Sequence, residues 1–340
     1  MKSSLSPILD QSVITAAVEY LRDGELVAFP TETVYGLGAD ASNDKALKKL
    51  YAIKGRPHNH PVIVHLASTE QISNWCVELP DYANLLARHF WPGPLTLIVK
   101  KAKHVSKLIT GGQNTIALRI PAHPIALAVL KAFAGGIAAP SANKYGRLSP
   151  TAAEHVYQEF GETISLIIDG GNCPIGIEST IVDVTGPLPK LLRPGLISEQ
   201  DILEHAGLGS NTNTLHTDPH KNSKQIRAPG SDKSHYAPDT PMLLLDQNAL
   251  QLFLAKRKAD NKSNRQLSYA VISFTALYEP VKQHIQASTD ARAYARDLYA
   301  NLRTLDNCGA SYILVEAPPQ SSEWLAVCDR LKRAAMKLQQ

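Results

Sequence analysis

PTETVYGLG (residues 30–38) and KGRPHNHPVIVH (residues 54–65) decide how this chain is read. Two apolar runs frame them: LVAF (26–29) just before the first and VIV (62–64) inside the second. Runs this short, rich in branched residues and flanked by turn formers, predict buried strands. A polar, glycine-rich loop hung from buried strands is a common way to build a site. Lys54 and Arg56 sit within one turn of each other, beside Gly55 and Pro57. Two cations so close suit a polyphosphate or carboxylate better than a core.

Outward from this segment, helices and strands interleave. Residues 14–21 predict a helix ending near Gly24. In residues 45–53, Ala46, Leu47, Leu50 and Ile53 fall at helical spacing with lysines opposite, and Asn43 or Asp44 is placed to cap them. Further helices are expected over 81–90, 124–133 and 151–160, the first stopped by WPGP (91–94). TLIVK (96–100), TIALRI (115–120), GIAAPS (136–141), SLIID (165–169), STIVDV (179–184) and KLLR (190–193) predict strands. The order lacks a strict βαβ beat, so an α/β fold with a mixed sheet is expected. From residue 207 the chain turns poor in aliphatics and rich in Ser, Thr, Asn, Pro and Gly, a linker composition. Beyond it, MLLLD (242–246), SYAVISF (268–274) and SYILVEA (311–317) alternate with helical stretches, which predicts a small parallel α/β domain. The expected division is therefore 1–206, a linker 207–240, and 241–340.

Composition narrows the function classes. The 340 residues fit about two domains. Lys plus Arg number 35 against 31 acidic residues, a net charge of +4, and no run of like charges stands out. Charge alone therefore does not imply nucleic acid. Cys76, Cys173, Cys308 and Cys328 form no CxxC pair, which predicts reduced thiols in a cytoplasmic protein. The first residues lack a signal-peptide core, and no stretch approaches the roughly 20 apolar residues of a membrane span.

The chain has no Walker A motif, HExxH or GxSxG. Its polar motifs lie instead at strand ends: PTETVYGLG, KGRP, GGQNTIALRIP, APSAN, GIEST and LLRPG. Each residue has a plain structural role open to it. Thr33 could cap a turn, Lys54 and Arg56 could be a solvated helix end, and His65 could be a core histidine. Arg119 could pair with a protein acid, Ser141 could form a turn, and Arg193 could pair with Asp183. The cluster His58, His60 and His65 lacks a fourth ligand, so no zinc site is expected. Together, however, Lys54, Arg56, Arg119 and Arg193 with the hydroxyls of Thr33, Thr115, Ser141 and Ser179 suit a triphosphate and a carboxylate at once. No nucleophile with a base partner stands out. Catalysis by positioning and charge neutralisation is the expectation.

On these motifs, with HPVIVH, TIALRIPAHP and GIESTIVDV, the chain resembles the YrdC-like threonylcarbamoyl-AMP synthases. HYAP (235–238) and the C-terminal domain resemble the longer, two-domain form. The resemblance implies a YrdC-like twisted mixed sheet with helices around a large cavity, plus a small Rossmann-like parallel α/β accessory domain. It implies synthesis of threonylcarbamoyl-AMP from L-threonine, bicarbonate and ATP with release of pyrophosphate, and Mg2+ accompanying ATP. It implies Thr33, His65, Arg119, Ala139 and Ser179 on the threonine side. Arg56, His60, Thr115, Ser141, Ser149, Arg193 and Tyr236 would hold ATP. Lys54 and Arg56 would serve the phosphates and the nascent carbamate, with Tyr236 making the linker a lid. The implied recipient is a downstream tRNA threonylcarbamoyl-transferase complex. Weak direct binding of tRNA or double-stranded RNA is a further expectation. The linker reads PGSDKSHYAP where relatives often carry Met after the Gly, which sets Ser231 and Asp232 apart from the family pattern. An RNA-binding module and a carbamoyl-phosphate-using relative are the competing readings; the second normally carries acylphosphatase and zinc-finger segments, which this sequence lacks.

Overall fold

The computed structural model describes residues 10–208, 226–230, 235–260 and 267–336. Most of the expected lid, including Ser231 and Asp232, lies outside the described residues. The chain divides into two compact units, Met1–Tyr145 with Pro150–Ser231, and Gly146–Ser149 with Asp232–Gln340.

The first unit is built on a nine-stranded mixed sheet. Its strands are β1 (Val27–Phe29), β2 (Gly36–Asp40), β3 (Ile63–His65), β4 (Leu95–Lys100), β5 (Thr115–Arg119), β6 (Ile137–Ala138), β7 (Leu166–Ile167), β8 (Thr180–Asp183) and β9 (Lys190–Arg193). Their order is β7-β1-β2-β6-β3-β5-β4-β8-β9. Both faces are covered. On one, the Gln11–Arg22 and Pro124–Phe133 helices pack Ile14, Leu21, Val129 and Leu130 against Val27, Phe29 and Ile137. On the other, Leu47 and Leu50 of the Asp44–Lys54 helix join Ala28, Leu37, Val64 and Leu118. Alternate residues of a strand thus feed opposite cores. Each fully buried Leu or Phe contributes roughly 1.5–3 kcal/mol.

The Asp44–Lys54 helix shows how local sequence sets the geometry of the site. The Asn43 side chain accepts hydrogen bonds from Lys45 N and Ala46 N at its start. Gly55, in the left-handed conformation at φ 61°, ends it and turns the chain toward Arg56. Sequence patterning found this helix and most strands but not β2, because Gly36 and Gly38 there read as loop. Gly38 pairs with Val27 in the strand, and only glycine fits there: a Cβ would stand 2.7 Å from Phe29 and 2.9 Å from Ile137.

The second unit carries a four-stranded parallel sheet of order β10-β13-β11-β12, from β10 (Met242–Leu245), β11 (Tyr269–Ser273), β12 (Gln283–Gln286) and β13 (Tyr312–Glu316). The polar edge strand β12 had no apolar signature to reveal it. Leu298, Leu302 and Leu305 of the Ala291–Asp306 helix are buried, as the amphipathic pattern predicts.

Candidate active site

Strand register gathers the first group of predicted residues. His65 on β3 lies opposite Arg119 on β5, and β5 pairs with β4, which pairs with β8 just beyond Ser179. The alternation that sends Val64 and Leu118 into the core turns Ile63, His65, Ala117 and Arg119 to the other face. Ala139 is tied to this face through its N–H, which donates to Ile63 O at 3.0 Å.

Arg119 is held at three points. Its Nε donates to Gly93 O at 3.2 Å and its Nη1 to Thr33 Oγ1 at 2.9 Å. Its Nη2 stands 2.7 Å from Glu32 Oε1 in a buried ion pair. The loop carrying Glu32 and Thr33 is stitched by Thr31, whose Oγ1 lies 2.8 Å from Thr33 Oγ1 and donates to Val34 O at 2.6 Å. It is pinned from outside as well: Ile175 N donates to Glu32 O and Gly176 N to Thr33 O. Tyr35 then dives into the core, where its hydroxyl donates to Gly171 O at 2.8 Å and burial pushes its pKa well up. His65 is fully enclosed. Burial first, and then the Arg119 charge, push its pKa down to about 3, so it is neutral at physiological pH.

A second group surrounds Lys54. Its Nζ donates to Ser141 O at 2.6 Å and also to Asn143 O, fastening the APSAN turn to the end of the helix. Tyr145 N donates to Lys54 O at 2.8 Å and completes the clasp. Burial, followed by the neighbouring Arg56 charge, depresses the Lys54 pKa well below its ordinary value. Arg56 Nη2 donates to Pro61 O at 2.7 Å, and its guanidinium lies 5.4 Å from the centre of the Tyr145 ring. His60 Nδ1 is 2.9 Å from Tyr145 Oη. Lys54 and Arg56 are therefore not a solvated helix end.

A third group forms where β8 and β9 meet. Arg193 Nε donates to Ser179 O at 3.0 Å and Nη2 to Ser179 Oγ at 3.1 Å, while Nη1 donates to Pro229 O at 3.1 Å. Ser179 Oγ lies 2.7 Å from Thr96 Oγ1. Arg193 thus serves the Ser179 loop rather than Asp183. Thr115 is half-buried on β5 opposite Lys100.

Two predicted residues belong to the second unit. Ser149 is buried there. Tyr236 has a left-handed backbone at φ 61° and packs its ring against His235, Tyr299 and the Arg330 guanidinium, 5.2 Å from the ring centre. A concavity of about 500 Å³ in the first unit is lined by Ser42, Asp44, Trp75, His104 and neighbours, and by none of the predicted residues.

Sequence reasoning missed Glu32, Thr96 and Tyr145. Glu32 had a signal, an acid between two threonines directly after a buried strand. Thr96 and Tyr145 had none, since their relevance comes from partners 83 and 85 residues away. Among the described residues no three His, Cys, Asp or Glu side chains converge as metal ligands.

Two family profiles match the chain. One, described as telomere recombination and covering Sua5, YciO and YrdC, matches residues 19–195; the C-terminal domain of threonylcarbamoyl-AMP synthase matches residues 197–336. The threonylcarbamoyl-AMP synthase of Pyrococcus abyssi is 38% identical over 96% of this chain and 95% of its own length. That of Bacillus subtilis is 37% identical over 95% and 92%. Among solved structures, P. abyssi Sua5 complexed with L-threonine superposes with a TM-score of 0.84 at 38% identity, covering 95% of this chain and 94% of that one.

Proposed function

This chain belongs to the Sua5/YrdC family of threonylcarbamoyl-AMP synthases in its two-domain form, and from that premise we propose how its residues divide the work. The reaction is synthesis of threonylcarbamoyl-AMP from L-threonine, bicarbonate and ATP, with release of pyrophosphate, the first step of threonylcarbamoyladenosine modification of tRNA.

Arg119 is the carboxylate clamp for threonine, with Thr33, His65, Ala139 and Ser179 around it. The observation that carries this assignment is the triple anchoring of a buried guanidinium beside a neutral imidazole. A guanidinium already oriented by protein acceptors loses little freedom on binding a carboxylate. Arg56, His60, Thr115, Ser141, Ser149, Arg193 and Tyr236 form the ATP side. Lys54 and Arg56 serve the phosphates and the carbamate.

Threonine's amine forms a bond to the bicarbonate carbon and water leaves. The carbamate oxygen then bonds to the α-phosphorus and pyrophosphate leaves. Both stages work on anionic oxygens, which Lys54 and Arg56 face from fixed positions. Exclusion of water protects the labile carbamate. Mg2+ accompanying the triphosphate would offset part of its negative charge. Residues 1–206 are the catalytic part, 207–240 the lid and 241–340 the accessory part. The product passes to a tRNA threonylcarbamoyl-transferase complex. Four free thiols support a cytoplasmic setting.

Pyrophosphate release from ATP, with threonine and bicarbonate omitted in turn, tests the reading. Release that requires both is expected. Release indifferent to threonine overturns it.

A further inference from the structure

Glu32 is the unexplained group of this site. It is 7% exposed and faces Arg119, which is 3% exposed. Oε1 lies 2.7 Å from Arg119 Nη2, yet neither carboxylate oxygen accepts an aligned hydrogen bond from the described residues, and Nη2 donates none. The other two guanidinium nitrogens are spent on Gly93 O and Thr33 Oγ1. A buried carboxylate without hydrogen bonds is costly, and opposite charge alone offsets the cost only in part. His123 and Cys173 also feel the Glu32 charge, and neither supplies the missing bonds.

An α-amino acid matches this pair group for group. It carries a carboxylate and an ammonium on one carbon and is neutral as a whole. Seated between the two side chains, it would give its carboxylate to Nη2 and its ammonium to the Glu32 oxygens. One poorly aligned ion pair would become two, with no net charge added to a buried site.

We propose that Glu32 recognises the ammonium group of threonine, and that threonine binds by inserting between Glu32 and Arg119. Glu32 selects amino acids over hydroxy acids of the same skeleton, and the Glu32–Arg119 contact holds both groups in place until substrate arrives. This rests on the assignment of Arg119 as the carboxylate clamp.

Calorimetric titration of the full chain with L-threonine and with 3-hydroxybutanoate, which lacks only the amino group, tests it. The unaltered protein should prefer threonine by at least about 30-fold. Glu32→Gln should weaken threonine binding by about 30- to 100-fold while leaving 3-hydroxybutanoate no weaker, and Glu32→Asp should recover part of the loss. Equal affinity of the unaltered protein for the two ligands overturns the proposal, even where Glu32→Gln fails to fold. So does a folded Glu32→Gln that loses both ligands equally or loses neither. Arg119→Ala separates the premise: threonine binding that survives it removes the clamp assignment itself.

Discussion

Residues in this site are specified by charge state and anchoring. His65 is the clearest case. Its pKa falls from 6.5 to about 3 on folding. The unfolded chain therefore binds a proton between those values that the folded chain refuses, and stability rises with pH across that window. Its contribution is complete above about pH 6.5 and is lost as pH falls toward 3. Moving from pH 7 to pH 5 should cost about 2 kcal/mol at this residue alone. Urea denaturation of the unaltered protein and of His65→Gln at the two values checks this; the variant should show the smaller pH dependence. Arg119 is specified by its anchors. Arg119→Ala should raise the threonine KM about 100-fold in a pyrophosphate-release assay while the ATP KM changes little. An unchanged threonine KM would remove Arg119 from the pocket.

At the scale of elements, two glycines do different work, and substitution separates them. Gly38 lies in β2 where a Cβ would stand 2.7 Å from Phe29 Cε1 and 2.9 Å from Ile137 Cγ2. Gly38→Ala overpacks the sheet and should cost about 1–3 kcal/mol. Gly55 ends the Asp44–Lys54 helix at φ 61° with open space around it. Gly55→Ala should cost only about 1 kcal/mol, all of it backbone strain. Thermal denaturation ranks the two. A Gly55→Ala cost exceeding that of Gly38→Ala would show that the helix end, not the sheet, is the tightly fitted element. Helices were the elements most legible in the sequence, because an asparagine cap, a spaced apolar face and a terminal glycine agree over residues 43–55. Short strands were less legible. β2 hides behind its glycines, and β12 has a polar sequence on a sheet edge.

At the scale of the molecule, Thr33, His65, Arg119, Ala139 and Ser179 all belong to the first unit, whereas Ser149 and Tyr236 belong to the second. On the proposal that Tyr236 serves the ATP side, Tyr236→Ala should raise the ATP KM by about 10-fold for a lost aromatic contact, with the threonine dissociation constant unaltered. Steady-state kinetics with separate threonine titration checks this; equal effects on both substrates would contradict the assignment. The motifs themselves marked which residue types are candidates for the site. Cations and hydroxyls at the ends of apolar runs are chemically conspicuous wherever the runs end up, and most apolar runs betray themselves by length and composition. What they cannot carry is strand order. Val27, Val64 and Leu118 lie in strands buried on both faces, so their apolar runs do not mark which strand is the neighbour. Only the order β7-β1-β2-β6-β3-β5-β4-β8-β9 puts His65 opposite Arg119, while the loop after β1 brings Thr33 and Glu32 against it. The sequence by itself determined the chemistry available and the helices that frame it. The tertiary structure decided which charges meet, because pairing between distant segments depends on packing the whole sheet at once.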